Sequence, residues 1–327
     1  MQQQENFKLG LALGSGAARG WALIGALKSL HKLGIQPKVI AGCSMGSLVG
    51  AAYCTDKLDE LEKWALSLDT WKVVRLLDWG MGRGGVVSGT KLYKRLESQI
   101  GNTLIEDSSV QYAAVATELY TGREHIFQQG SYIDAVRASC AIPGMLAPQF
   151  IDGHWMIDGA VVNPVPVSVC RAMGATHVIA IDLNCGRVPA VHKKGDIAAP
   201  AHLKNLPNDI DEANEAGEID EQEQPNKFQD LLGQSKGFID QLINKIPVGS
   251  ANSPSMVAVA TSAIDIMQNR ITRSRLAADP PDLLIQPKVE DIGILEFNRA
   301  AEAIKLGEDA VMKVAHLLDE FKEAQDD

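Results

Sequence analysis

The chain has 327 residues, 46% of them apolar and only 5% aromatic. That is enough for one large domain or two small ones with a mostly aliphatic core, as in a sheet covered by helices. A formal charge of -10 argues against nucleic acid as a partner, because binding a polyanion needs a basic surface. Five cysteines are scattered without a C-x-x-C pair, so neither a zinc site nor a disulfide framework is indicated, and no metal or cofactor is expected. Residues 1–6 show no basic n-region followed by an apolar run, and no stretch is long and apolar enough to span a bilayer. The expectation is a soluble, reduced, cytoplasmic protein that can touch membranes from outside.

Phe7 to Leu13 reads as the first strand. It runs into Gly14-Ser15-Gly16-Ala17-Ala18-Arg19-Gly20, and Trp21 to Leu30 then has helical periodicity. Strand, glycine-rich turn and helix make an arrangement that holds anions, with amides pointing out of the helix start. A P-loop would end in Gly-Lys-Ser/Thr, which is absent. A dinucleotide fingerprint would need a third glycine where Arg19 stands, and an acid about 20 residues on. An oxyanion hole needs only free amides aimed at developing charge.

Val39-Ile40-Ala41 reads as a buried strand and Leu48 to Tyr53 as the start of a helix. Between them Gly42-Cys43-Ser44-Met45-Gly46 sits at a strand-to-helix turn, the context of a nucleophile elbow. The motif alone also occurs by chance in loops; the flanking elements favour catalysis, with Ser44 at the tip.

Lys57 to Leu68 reads as a helix, Asp78 to Gly85 as a flexible glycine-rich connection, and Lys91 to Gly101 as a helix capped by Ser88. Val110 to Thr117 and Glu124 to Phe127 read as neighbouring strands, and Tyr132 to Cys140 as a short helix closed by Ile142-Pro143-Gly144. Gln149 to Ile151 and His154 to Ile157 form a hairpin around Asp152-Gly153. In the following Asp158-Gly159-Ala160, the residues by themselves make Asp158 a turn residue. Pro164 to Met173 is helical, and His177 to Leu183 is a buried strand.

From Gly186 to about Asn226 the chain is polar and acidic and reads as a long mobile excursion. An amphipathic helix follows over about 227–245, carried by Phe228, Leu231, Leu232, Phe238, Ile239, Leu242, Ile243 and Ile246. Ser255 to Arg273 is a further helix, Asp282 to Pro287 the last strand, and Phe297 to Phe321 a closing helix. Alternating strands and helices give an α/β class with a largely parallel sheet in a single domain spanning residues 1–327, with a core over about 7–185.

A serine needs a base. Of the downstream histidines His125, His154, His177, His192, His202 and His316, none sits in the small-residue loop expected of a Ser-Asp-His triad. Three separated motifs together resemble the patatin-like phospholipases, in particular their compact bacterial branch. These are Gly14 to Gly20, Gly42-Cys43-Ser44-Met45-Gly46 and Asp158-Gly159-Ala160, with Ser139-Cys140-Ala141-Ile142-Pro143-Gly144 between the last two. The resemblance covers roughly residues 7 to 185.

It implies a three-layer α/β/α fold and a Ser44-Asp158 dyad without histidine. It also implies an oxyanion hole at Gly16 and Ala17 with Arg19, framed by the motif glycines Gly14, Gly20, Gly42, Gly46 and Gly159. Ser15 and Ala17 stand where glycine is usual in that family. The implied activity is a serine esterase or lipid acyl hydrolase acting on phospholipid or lysophospholipid acyl esters, with transient contact at a membrane surface. A non-catalytic lipid- or protein-binding adaptor, and an acyltransferase using the same acyl-serine, are the alternatives.

Overall fold

The computed structural model describes residues 7–69, 85–87, 103–184 and 256–326. The expected helix at Lys91 to Gly101, the acidic excursion and the amphipathic helix at 227–245 lie outside these residues. By contact the chain divides into a first unit, Met1–Arg187 with Ala263–Asp327, and a second, Val188–Ser262.

The sheet is built around β1 (Leu9–Leu13), whose five residues are all buried. It pairs in parallel with β2 (Val39–Cys43) on one side and β9 (His177–Ile181) on the other. Further strands are β4 (Gln111–Glu118), β5 (Glu124–Phe127), β7 (Gln149–Ile151), β8 (His154–Asp158) and β10 (Leu283–Ile285). The order is β10-β9-β1-β2-β4-β8-β7, with β5 paired to β4. The five strands from β10 to β4 run parallel; β5, β7 and β8 join antiparallel. A two-stranded parallel pair, β3 (Gly85–Val87) with β6 (Gly144–Leu146), stands apart. Its β3 strand closes a segment that the sequence reads as a glycine-rich connection.

Parallel strands buried on both faces need helices on both. Leu9, Leu11 and Leu13 face a core shared with α1 (Ala22–Lys32), α2 (Met45–Cys54), α3 (Leu58–Leu66), α4 (Tyr132–Ser139) and α7 (Ala300–Lys313). Ala12, Val39, Ala41 and Cys43 face the opposite side, against Val167, Val169 and Cys170 of α5 (Val167–Ala172). The long α6 (Met256–Ala278) precedes β10, and its Leu276 packs on this second core. α1 and α7 cross where a Cβ at Gly25 would strike the Ile304 carbonyl and one at Gly307 the Ala22 carbonyl. Side chains at those positions would push the two helices apart.

The closing helix expected over Phe297 to Phe321 is instead interrupted. It runs as a 3-10 turn (Phe297–Arg299), α7, a second 3-10 turn (Ala315–Leu317) and α8 (Asp319–Asp326). At 1.5 Å per residue an unbroken helix would run straight past the domain. The break lets Leu318 and Phe321 bury, with Phe321 edge-on to His177 at the start of β9, 6.2 Å between ring centres. The Asp152-Gly153 turn between β7 and β8 has positive φ at both residues, 51° and 83°, as a tight two-residue hairpin requires. Among the described residues no helix is long and apolar enough to cross a membrane.

Candidate active site

Strand β4 brings the two ends of the site together. One edge of β4 carries β5; the other is shared end to end by two partners. Along it Val115 is paired with Cys43, the last residue of β2, and the next residue, Ala116, with Asp158, the last residue of β8. The two strands arrive from opposite directions, so Ser44 and Asp158, 114 positions apart, meet across a gap of one residue in the register. Asp158 is further fixed by its own amide, which donates to the Ala141 carbonyl at 2.9 Å. The Thr117 hydroxyl donates to its carbonyl, also at 2.9 Å.

Ser44 has φ 53 and ψ -123 and leads directly into α2. This conformation costs a non-glycine residue about 1–3 kcal/mol and persists only where the surroundings hold it. Gly42 and Gly46 permit the turn: a Cβ on Gly42 would strike the Gly46 carbonyl, and one on Gly46 the Leu13 carbonyl. The Ser44 amide donates to Ser139 Oγ at 2.9 Å, and Ser139 Oγ donates to the Val115 carbonyl at 2.6 Å. Ser139, completely buried at the end of α4, therefore bridges the elbow to β4. It belongs to the segment 139–144 that carries part of the resemblance, although residue chemistry alone gave it no role.

Ser44 Oγ donates to Asp158 Oδ2 at 2.6 Å. The other carboxylate oxygen, Oδ1, accepts from the Ala160 amide at 2.8 Å, and the Cys43 thiol stands 4.0 Å from it. Ser44 and Asp158 are 3% and 2% exposed. Burial disfavours the charged carboxylate and lifts its pKa from 3.8 to about 6, against the opposing hydrogen bonds from Ser44 and Ala160. Asp158 is thus a stronger base than a solvated aspartate and still mostly ionised near neutral pH.

The glycine loop runs beside this pair. Its amides at Gly14, Ser15, Ala18 and Arg19 donate to the carbonyls of Ile181, Pro164, Ile294 and Gly16. Those of Gly16 and Ala17 have no such acceptor among the described residues, and both residues line the cavity over Ser44 and Asp158. Gly16 is extended, with φ 177, but Ala17 has φ 47, the left-handed region that disfavours a side chain. The Arg19 side chain is 2% exposed and turns toward the C-terminal part of the chain. Its Nε donates to the Ile292 carbonyl at 2.8 Å and its Nη2 to Asp265 at 3.3 Å. Gly20 packs against Met45 and Gly159 against the Val115 carbonyl, so the loop closes tightly on the elbow and the aspartate turn on β4.

Ile142, Met145, Asn184, Ile264, Asp265, Gln268 and Ile294 line the cavity with Ser15, Arg19 and the residues already named, and its volume is about 30 Å³. That holds a water or two. None of the described histidines lines it. His154 pairs instead with Glu118 at 2.6 Å, and His177 stacks on Phe7. His192 and His202 lie outside the described residues. Among the described residues no cluster of acids, histidines or cysteines could hold a metal ion.

The profile of the family described as "Patatin-like phospholipase" matches residues 11–171, a span that includes all three motifs. An uncharacterized NTE family protein of Mycobacterium tuberculosis is 32% identical over 320 residues, covering 92% of this chain and 89% of that protein. The neuropathy target esterase of Drosophila melanogaster is 33% identical over 183 residues, 54% of this chain and 13% of the fly protein. Human patatin-like phospholipase domain-containing protein 6 is 32% identical over a span of the same length, again 13% of its own chain. A relative matched over nearly its whole length, together with a parallel sheet that carries the glycine loop, the elbow and the aspartate at one end, leaves one assignment: this chain belongs to the patatin-like phospholipase family.

Proposed function

We propose that this chain is a serine acyl-ester hydrolase in which Ser44 is the nucleophile and Asp158 the base. The observation that carries the reading is the buried 2.6 Å hydrogen bond from Ser44 Oγ to Asp158 Oδ2 at a strained elbow. The substrate class rests on the family: phospholipid or lysophospholipid acyl esters, reached by transient contact with a membrane surface.

Ser44 Oγ attacks the ester carbonyl carbon as its proton passes to Asp158 Oδ2. The carbonyl oxygen gains the negative charge and accepts hydrogen bonds from the amides of Gly16 and Ala17. The tetrahedral adduct collapses, the C–O bond to the leaving alkoxide breaks, and Asp158 returns the proton to that oxygen. A water molecule then repeats the sequence on the acyl-serine: it gives its proton to Asp158, attacks the same carbon, and releases the fatty acid as Ser44 regains its proton. Arg19, which the resemblance groups with the oxyanion hole, supports it by anchoring the loop, its guanidinium donating to the Ile292 carbonyl and to Asp265.

The test is reaction with a fluorophosphonate probe, mapping of the labelled residue, and measurement of fatty acid release from a lysophospholipid. Labelling of Ser44 with release to water supports the hydrolase. Labelling with transfer to an added alcohol in preference to water identifies an acyltransferase. A folded chain that resists the probe is an adaptor.

A further inference from the structure

The strained part of the glycine loop is held from beyond the residues that the family profile matches. Gly16 and Ala17, whose amides are free to face the cavity, lie between Ser15 and Arg19 in the loop, and one face of α6 reaches Arg19 directly and Ser15 through Asn184. Downstream, Asp265 Oδ2 accepts from Arg19 Nη2 at 3.3 Å. Upstream, Asn269 Nδ2 donates to the Asn184 carbonyl at 2.5 Å. The Asn184 carboxamide donates in turn to the Ser15 carbonyl at 3.2 Å and to Ser15 Oγ at 3.1 Å. Asp265 and Asn269 are four positions apart and so lie one turn from each other on the same side of the helix. Asn184 is itself fixed at the end of β9, where its amide donates to Asp182 Oδ1 at 2.9 Å.

A left-handed alanine next to an extended glycine does not hold its own direction. Local relaxation of Ala17 toward the right-handed region would swing its amide away, and such conformers persist only where neighbours over-determine them. Oxyanion donors act through their preorganised aim, and small misplacements are costly in rate. We propose that Asp265 and Asn269 are positioning residues: α6 staples both flanks of the loop and thereby fixes where the Gly16 and Ala17 amides point. The proposal deepens the hydrolase reading and rests on it for its kinetic consequence, while the staple has a consequence that can be read without turnover.

The experiment uses the full chain with Asp265→Asn, Asp265→Glu and Asn269→Ala. Hydrogen exchange is followed in peptides covering 14–20, where the Ser15, Ala18 and Arg19 amides report, and in peptides covering 39–54 as an internal reference. Asp265→Asn and Asn269→Ala are expected to speed exchange in 14–20 and leave 39–54 unchanged. For p-nitrophenyl esters, kcat is expected to fall about tenfold to a hundredfold with KM changed less than about twofold, because transition-state contacts are lost and ground-state binding is kept. The pH midpoint of the rate should stay where it is, since the dyad is untouched, and Asp265→Glu should recover part of kcat. Should Asp265→Asn fail to fold, Asn269→Ala removes one hydrogen bond from a good helix position and carries the test. Unchanged exchange in 14–20, or an unchanged kcat in an active enzyme, overturns the staple. A wild-type chain that neither turns over esters nor takes the probe sinks the hydrolase reading, and the exchange result still decides the staple.

Discussion

Replacing Asp158 by asparagine separates what the site does for chemistry from what it costs the fold. The carboxylate is buried, and its pKa rises from 3.8 to about 6 on folding, chiefly through loss of solvation. The sign follows from proton binding. Below about pH 4 both folded and unfolded chains hold the proton and the group is neutral with respect to stability. Between about 4 and 6 the unfolded chain releases it and the folded chain keeps it, so folding loses free energy as pH rises. Above about 6 the loss is complete. At 1.36 kcal/mol per pKa unit it amounts to about 3 kcal/mol.

Asparagine is nearly isosteric. Its carbonyl still accepts from the Ala160 amide, and its amide group faces Ser44 Oγ, which can accept a hydrogen bond. Asp158→Asn is therefore expected to abolish ester hydrolysis and to stabilise the chain at pH 7.5 by about 1–3 kcal/mol, or roughly 2–6 °C in a domain of this size. The gain should shrink as pH falls and vanish near pH 4. Thermal unfolding of both proteins from pH 4 to 8, beside p-nitrophenyl ester turnover, checks this. A variant less stable than wild type at pH 7.5, or a difference that ignores pH, would refute the account of a costly buried carboxylate. Retained turnover would refute its role as base.

Other outcomes follow from the same geometry. The rate of the wild-type enzyme should rise with pH through about 6 as Asp158 ionises; a profile flat from 5 to 8 contradicts an aspartate base. Ser44→Ala should remove hydrolysis and fluorophosphonate labelling while leaving the circular dichroism spectrum intact. Single replacement of His125, His154, His177 or His316 should leave most of the activity in each folded variant, whereas a triad would make one of them as damaging as Ser44→Ala. Ala17→Gly should stabilise the chain by up to about 1–2 kcal/mol in chemical denaturation, because glycine tolerates positive φ. Ser139→Ala should destabilise it by about 1–3 kcal/mol, because the buried Ser44 amide and Val115 carbonyl both lose their partner.

Much of the fold was legible locally. Apolar runs such as Leu9 to Leu13 and His177 to Ile181 announce strands covered on both faces, and Asp152-Gly153 announces a tight hairpin, because short-range backbone preferences decide these features. The closing helix was misread as continuous because its periodicity runs on through Val314 to Leu318. The turn there serves Phe321, whose position against His177 is a contact between distant parts of the chain. The β3 strand was hidden because three residues in a glycine-rich stretch carry no pattern of their own; β6 gives them one by pairing.

For the site itself, the sequence by itself determined the elbow. Glycines two residues either side of a serine, between a strand and a helix, fix a sharp turn through local sterics alone. It also determined the glycine loop after β1 and, through the ordered motifs, the family. The residues around Asp158 by themselves made it a turn residue, and only the resemblance pointed to it as the partner of Ser44; the sequence did not determine where its carboxylate lies. That was decided by β4, which holds the ends of β2 and β8 in one register and so sets the carboxylate against Ser44 Oγ. Only the packed structure decided that this carboxylate is buried, that Ser139 bridges the elbow, and that α6 reaches the glycine loop at Arg19 directly and at Ser15 through Asn184. Hydrogen bonds and desolvation depend on which distant residues are packed together, and no local pattern in a single sequence carries that information.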